Sequence, residues 1–434
     1  MFQALKHRNF RLLWVGLLIS FSGSYMQTAA ILWHVSLLVP DDRRPIALGM
    51  VGLVRVVPIV VFSLISGVAA DALDRRKLML ATQSIMAVLA MILFLVTYHG
   101  LSVTWPIYVL AGMSSAAGAF DLPARQSLLP NLVPREDLPN AISLNTSMVQ
   151  VASVIGPAAG GVVIAEAGVA WAYAGNAVSY LVVIGALLAM RVENRREQMP
   201  TEHASIPPRR RSDFSVAAAL EGLRFVFRSP LIRSTMLLDF FATFFSSATA
   251  LLPIFAQDVL HVGARGYGWL YSAPAVGAVL AGVAMVRVVD SIERRGIVLI
   301  ASIAIYGLAT ISFGLSTSFW LTFGCLAVTG AADTVSAVFR NLIRQLETPD
   351  GLRGRMTGVN MAFFIGGPQL GEFEAGLLAQ WAGPIASVVS GGIGCLVATG
   401  WVVSVTPALR SYRRSAQPLV PVEDDRREAQ SGQL

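Results

Sequence analysis

The feature that most constrains this chain is a series of apolar windows, each about twenty residues long and each closed off by charge or by turn residues. A helix needs about 20 apolar residues to cross the hydrocarbon core of a bilayer, where every backbone N–H and C=O must be satisfied inside the segment itself. Twelve such windows run approximately over 11–39, 46–70, 78–99, 104–124, 141–165, 170–190, 231–257, 267–289, 296–315, 318–339, 355–380 and 384–405. Composition agrees, with 55% of residues hydrophobic and 14% charged, roughly half the charged share of an average soluble domain. The expected fold is therefore an all-α membrane protein with twelve transmembrane helices.

The net charge of +7 follows topology rather than a single basic face, which argues against a nucleic-acid partner. With the N-terminus inside, Lys6, Arg8, Arg75, Arg76, Lys77, Arg135, Arg195, Arg196, Arg209, Arg210, Arg211, Arg294, Arg295, Arg353 and Arg413 all fall in cytoplasmic segments, and Arg43, Arg44 and Arg265 fall outside. That asymmetry is the positive-inside rule, and it predicts both termini in the cytoplasm of a bacterial inner membrane. The first apolar stretch follows the basic "LKHRNFR", but it is much longer than a signal-peptide core and reads as the first span. Cys325 and Cys395 lie in separate windows and read as small packing residues. The five histidines are scattered and make no metal pair at helical spacing.

Residues 1–190 and 231–409 each hold six windows, with a polar cytoplasmic linker over 191–230 and a tail over 410–434 expected to be disordered. The linker ends in "DFSVAAALEGLRFVFRSP", where Phe214, Leu220, Leu223 and Phe227 share a helical face flanked by Arg224 and Arg228. This pattern predicts an amphipathic helix at the membrane surface. The halves repeat: Asp71, Asp74, Arg75 and Arg76 match Asp290, Glu293, Arg294 and Arg295, while Asn145 and Gly161 match Asn360 and Gly376. Duplicated six-helix units with a substrate site between them are the plan of secondary transporters.

On these residues the chain resembles the major facilitator superfamily, and within it a branch of bacterial efflux proteins similar to enterobactin exporters. The resemblance is carried by "RNFRLLWVGLLIS", "GVAADALDRRKLML", "GPAAGG", "LEGLRFVFRSPLIR" and "GGPQLGEFEAG". Ala72 stands where the family usually has a base, and Ser24 where the first helix often carries an acid. The resemblance implies two pseudo-symmetric six-helix bundles with helix two packed on helix eleven. It also implies a cytoplasmic latch over Gly67, Asp71, Asp74, Arg75 and Arg76, with Arg125 and Arg355 as partners for Asp71, although the bases alone are equally explained by topology. Gly156, Pro157, Gly160 and Gly161 resemble a helix-five pattern associated with antiporters; ordinary tight packing explains the same glycines.

Ionisable residues deep in a bilayer cost several kcal/mol unless paired or hydrated. Arg55, Glu372 and Glu374 lie at such depth, with Asp239 and Asp333 nearer the cytoplasm. Arg55 is expected to pair with one of the two glutamates across the interface between the halves. Residues two apart on a helix point some 200° apart, so the other glutamate faces elsewhere. Glu372, Glu374, Asp239 and Asp333 are the candidates for proton coupling, and a structural salt bridge is the alternative reading. Gln27 and Asn145 are the candidates for substrate contact.

The function expected from these features is export of a small amphipathic molecule, drug-like or siderophore-like, by alternating access in exchange for protons. The expected partners are the bilayer and the substrate, the working unit a monomer, and no cofactor beyond a proton gradient is implied. Uptake or flipping of a lysophospholipid uses the same architecture, and a non-transporting scaffold or sensor is the rival from another class. Enzymatic activity is not expected, since no activated nucleophile stands out.

Overall fold

The computed structural model describes residues 3–190, 223–349 and 352–413, and these are helical almost throughout. In the first half the long helices are α1 (Arg8–Leu38), α2 (Arg44–Ala72), α3 (Arg75–Tyr98), α4 (Trp105–Leu128), α5 (Leu138–Ala167) and α6 (Val169–Ala189). In the second they are α7 (Pro230–Phe245), α8 (Gly263–Val288), α9 (Arg295–Leu315), α10 (Phe319–Glu347), α11 (Arg353–Ala382) and α12 (Pro384–Val405). Among the described residues ten helical segments are long and apolar enough to cross a membrane. The remaining two long helices are α4, which carries Asp121 and Arg125, and α11, which carries Arg353, Arg355, Glu372 and Glu374.

Two expected windows need correction. The seventh is not one continuous helix to 257. It stops at Phe245 and continues through a 3-10 turn (Ala248–Leu251), a short α turn (Leu252–Ile254) and a π turn (Phe255–Val259). Pro253 accounts for part of the break, since its ring removes a donor and crowds the preceding turn. The tenth apolar window ends at 339, but α10 runs on to Glu347, so Arg340 and Arg344 belong to the helix. Most of the linker, including Phe214 and Leu220, and the tail from 414 lie outside the described residues. Of the linker helix, 223–228 is described: Val226 packs with Ile232, Met236 and Met356, whereas Leu223 and Phe227 are exposed.

Helix packing follows the internal repeat. In the first half α1 packs on α5 and α6, α2 on α4, and α3 on α4 and α6; in the second, α8 packs on α10, α9 on α10 and α12, and α7 on α11 and α12. The halves meet where α2 crosses α11, as the resemblance implied, and where α5 crosses α8. Both crossings are glycine on glycine. A Cβ on Gly161 would stand 2.6 Å from the Ala264 carbonyl oxygen and 2.8 Å from Gly268 Cα; one on Gly376 would stand 2.6 Å from the Pro45 carbonyl oxygen and 2.7 Å from Gly49 Cα. Small residues let two backbones approach this closely. Gly49 and Gly268 are spaced as Asp71 and Asp290 are, and Gly161 and Gly376 as Asn145 and Asn360 are. The two crossings are thus copies of one arrangement.

Polar ties between the halves gather at the same end of the molecule, where the α1–α2, α5–α6, α7–α8 and α11–α12 connections lie. Arg265 pairs with Glu166, Arg44 with Asp258 at 2.9 Å, Gln257 donates to Ser36 Oγ at 2.8 Å, and Gln380 donates to the Asp42 carbonyl. The largest apolar cluster joins the halves at this end too, with Trp33 and Tyr267 rings 5.1 Å apart and the Tyr267 hydroxyl donating to the Ala29 carbonyl at 2.9 Å.

Candidate functional site

Polar residues one turn apart on α1 (Ser20, Ser24, Gln27 and Thr28) turn one face of that helix inward, and α2, α3, α4 and α6 complete a cavity of about 300 Å³ around it. Gln27, chosen from the sequence, lies on its wall and accepts a hydrogen bond from Asn176 Nδ2 at 2.8 Å. Ser24, where the family often carries an acid, meets the Tyr180 hydroxyl at 3.1 Å. Helical spacing on α4 brings Asp121 and Arg125 to the same wall. Asp121 Oδ1 accepts from Thr82 Oγ1 and Gln83 Nε2, both at 3.0 Å, and the Arg125 guanidinium lies 4.3 Å from the centre of the Phe21 ring. Arg55 reaches the cavity from α2. Asn145, the other expected substrate contact, is half-buried on α5 and is not among the lining residues. Sequence reasoning passed over Asp121; the signal was an acid inside the fourth apolar window, four residues before the arginine that closes it.

The helix-five glycines serve two neighbours. Gly156 and Gly160 press on α1, where Cβ atoms would stand 2.5 Å from the Ser22 carbonyl oxygen and 3.0 Å from the Met26 side chain, while Gly161 and the Pro157 carbonyl face Gly268 of α8. Pro157 itself is buried.

At the other crossing stands Glu372, 8% exposed and pressed flat on Gly52: a Cβ on that glycine would lie 2.8 Å from Glu372 Cβ. Its Oε1 accepts from Thr249 Oγ1 at 3.4 Å, and its Oε2 has no hydrogen-bond partner among the described residues. The expected ion pair with Arg55 does not form. The reason is geometric: Arg55, about one turn further along α2 than Gly52, turns into the cavity, and its charge reaches Glu372 only through space. Glu374 is half-buried and makes no ion pair among the described residues.

The second half gathers its charges differently. Arg340, 2% exposed, lies 2.9 Å from Asp239 Oδ1 in an ion pair without hydrogen-bond alignment, and it also contacts Asp333 Oδ1 at 3.1 Å and Ser336 Oγ at 2.8 Å. Arg344 stands 3.7 Å from Asp239 Oδ2 and donates to Asn341 and to Asn360 of α11. Both expected acids are therefore ion-paired, which ties α7, α10 and α11 together. The arginines that pair them were missed because the apolar pattern ends before they begin.

Of the residues expected to form the latch between the halves, those described make contacts within the first half. Asp74 caps α3, accepting from the backbone N–H groups of Arg76 and Lys77 at 3.0 Å. Arg75 donates to the Ser127 carbonyl at 3.0 Å and Arg76 to the Leu188 carbonyl at 3.3 Å, so both tie α3 to α4 and α6 within one half. Arg125 is committed to the cavity. Gly67 and the side chains of Asp71 and Arg355 lie outside the described residues.

Comparison with known proteins places this geometry. The profile of a family described as transmembrane secretion effectors matches residues 1–425. The chain is 28% identical over 361 residues to the enterobactin exporter EntS of Escherichia coli O1:K1, and equally to that of Shigella boydii serotype 18, with 83% of each chain covered in both cases. Its fold matches that of a bacterial homologue of the human lysosomal transporter Spinster, solved inward-facing and unoccupied, with a TM-score of 0.71, 15% identity, and coverage of 94% of this chain and 99% of that one. A POT family transporter in complex with a thioalcohol-conjugated peptide matches with a TM-score of 0.70, 12% identity, and coverage of 93% and 96%. Both structural likenesses establish the fold alone. The chain belongs to the transmembrane secretion effector family, multi-pass secondary transporters of the major facilitator superfamily.

Proposed function

We propose that this transporter is a twelve-span exporter of the bacterial inner membrane, with both termini cytoplasmic, moving a small amphipathic molecule outward by alternating access in exchange for protons. Residues 1–190 and 231–409 are the two rocking bundles and 191–230 the cytoplasmic connection between them. The exporter name of the 28% identical relatives supports the direction, and the basic residues of the loops support the orientation. In that orientation the glycine-crossed, ion-paired end is periplasmic, so the molecule is closed outside and faces the cytoplasm.

The observation that carries the coupling is the seat of Glu372 at the α2–α11 crossing, buried with one carboxylate oxygen unpartnered. An ionised carboxylate left in that seam costs several kcal/mol, a neutral one much less. Opening the outer end brings water to the side chain and removes the cost, so the protonated form belongs with this closed state and the ionised form with the opposite one. In exchange, Glu372 takes a proton from the periplasm in the open state, carries it into the closed state and loses it to the cytoplasmic side when substrate binds, so that the loaded transporter reopens with the carboxylate ionised. The test uses amphipathic toxic compounds first ranked by growth of an efflux-deficient host expressing the chain. In proteoliposomes, wild-type flux should follow an imposed pH gradient and Glu372→Gln flux should not. Gradient-driven flux retained in full by Glu372→Gln overturns the assignment.

A further inference from the structure

The arginines of the two halves are used in opposite ways. Arg125 and Arg340 are separated by the same number of residues as Asn145 and Asn360 or Gly161 and Gly376, and so occupy one position of the internal repeat. In the second half that arginine is satisfied within the protein, with Asp239, Asp333 and Ser336 all in contact. In the first half Arg125 makes no ion pair among the described residues and lines the cavity with its guanidinium on the Phe21 ring. Arg55 lines the same cavity and makes no ion pair among the described residues either. The acid on that wall is Asp121, whose Oδ1 is held on α3 by Thr82 and Gln83. Among the described residues two cations face one carboxylate across this cavity, which leaves it positive, and a buried charge without a partner is costly.

We propose that this cavity binds an amphipathic organic anion, its oxyanion group held by Arg55 and Arg125 and its apolar body lying on Leu17, Phe21, Ile31 and Met86. The geometry fits each part. Guanidinium groups present forks of N–H donors that suit a carboxylate or another oxyanion. Phe21 holds the Arg125 guanidinium at the cavity wall through a cation–π contact, 4.3 Å from the ring centre. The volume of about 300 Å³ suits a molecule of one or two fused rings or a medium-length acyl chain. Gln27, Asn176 and Tyr180 are already hydrogen-bonded to one another or to α1, so they shape the wall without demanding a polar ligand body.

This inference rests on the transporter reading and narrows its substrate class, so its test is binding without a gradient. The full chain in detergent is titrated calorimetrically with 2-naphthoate and, separately, with the neutral isostere 2-naphthamide. Wild type should bind the anion at least tenfold more tightly. Arg55→Gln and Arg125→Gln should each reduce that preference to under threefold, while Arg125→Lys keeps part of it. Equal binding of the two ligands by wild type overturns the proposal whether or not any variant folds, and so does an undiminished preference in both glutamine variants. If the preference holds and proteoliposomes show no gradient-driven flux, the exchange mechanism falls and the anion site stands. If Glu372-dependent exchange is seen without an anion preference, the site falls and the exchange stands.

Discussion

The closed end of the molecule depends on two places where no side chain fits, and adding a single methyl group there should open it. In Gly376→Ala the new Cβ would meet the Pro45 carbonyl oxygen at 2.6 Å and Gly49 Cα at 2.7 Å, both backbone atoms that no rotamer change can move aside. Ordinary contact begins near 3.4 Å, so α2 and α11 must separate by roughly 0.7–0.8 Å at their crossing. Overpacking of this kind costs about 1–3 kcal/mol. The cost falls on the closed state alone, which converts to a roughly 5- to 150-fold shift of the conformational equilibrium toward the outward-open form. Spin labels at Ser102 and Thr317, exposed residues in the α3–α4 and α9–α10 connections of opposite halves, report the change by pulsed dipolar spectroscopy. Their distance distribution should move to longer values in Gly376→Ala, and also in Gly161→Ala at the matching crossing. Gly185→Ala, where a Cβ would meet nothing within 4 Å, should leave it in place. A folded Gly376→Ala whose distribution coincides with wild type would refute the claim that these crossings seal the outer end.

Other parts of the structure give sharper local expectations. Arg340→Gln leaves Asp239 and Asp333 buried or half-buried without their shared cation and should lower stability by about 3–5 kcal/mol, read as a fall in thermal unfolding temperature; adding Asp239→Asn should recover part of the loss, and a double variant no better than the single would show that the charges do not interact. Asp74→Ala removes the cap of α3 and should cost about 1 kcal/mol, with Asp74→Ser closer to wild type in the same melt. Gly156→Ala places a Cβ 2.5 Å from the Ser22 carbonyl oxygen within the first half. It should lower thermal stability by about 1–3 kcal/mol and leave the spin-label distances as they are, in contrast to Gly161→Ala.

Apart from the ends of the seventh and tenth, the windows of apolar residues located the long helices to within a few positions because membrane solvation acts on each segment separately, and segments are what a sequence displays. The glycine repeat, Gly161 with Gly376, was legible for the same reason and proved to mark the crossings between halves. Pairing was not legible. Arg55 and Glu372 share a depth, yet the side chain of Arg55 turns into the cavity of its own half while Glu372 lies against Gly52. Arg340 and Arg344 stand beyond the last apolar turn of their window, and only the approach of α7, a hundred residues away in sequence, gives them Asp239 as a reason to stay helical and buried. The break after Phe245 was hidden because Ser246, Ser247 and Pro253 interrupt hydrogen bonding without interrupting hydropathy.

The two glycine crossings are copies, but what sits beside them is not. At the repeat position where α5 has Pro157, α11 has Glu372. A body that rocks on two equal bearings gains nothing in signal from their likeness; here one bearing carries the pyrrolidine ring of Pro157 and its twin carries the carboxyl group of Glu372. On the exchange mechanism proposed above, acidity acts at the α2–α11 bearing and not at its twin, and so the two strokes can be given different driving conditions.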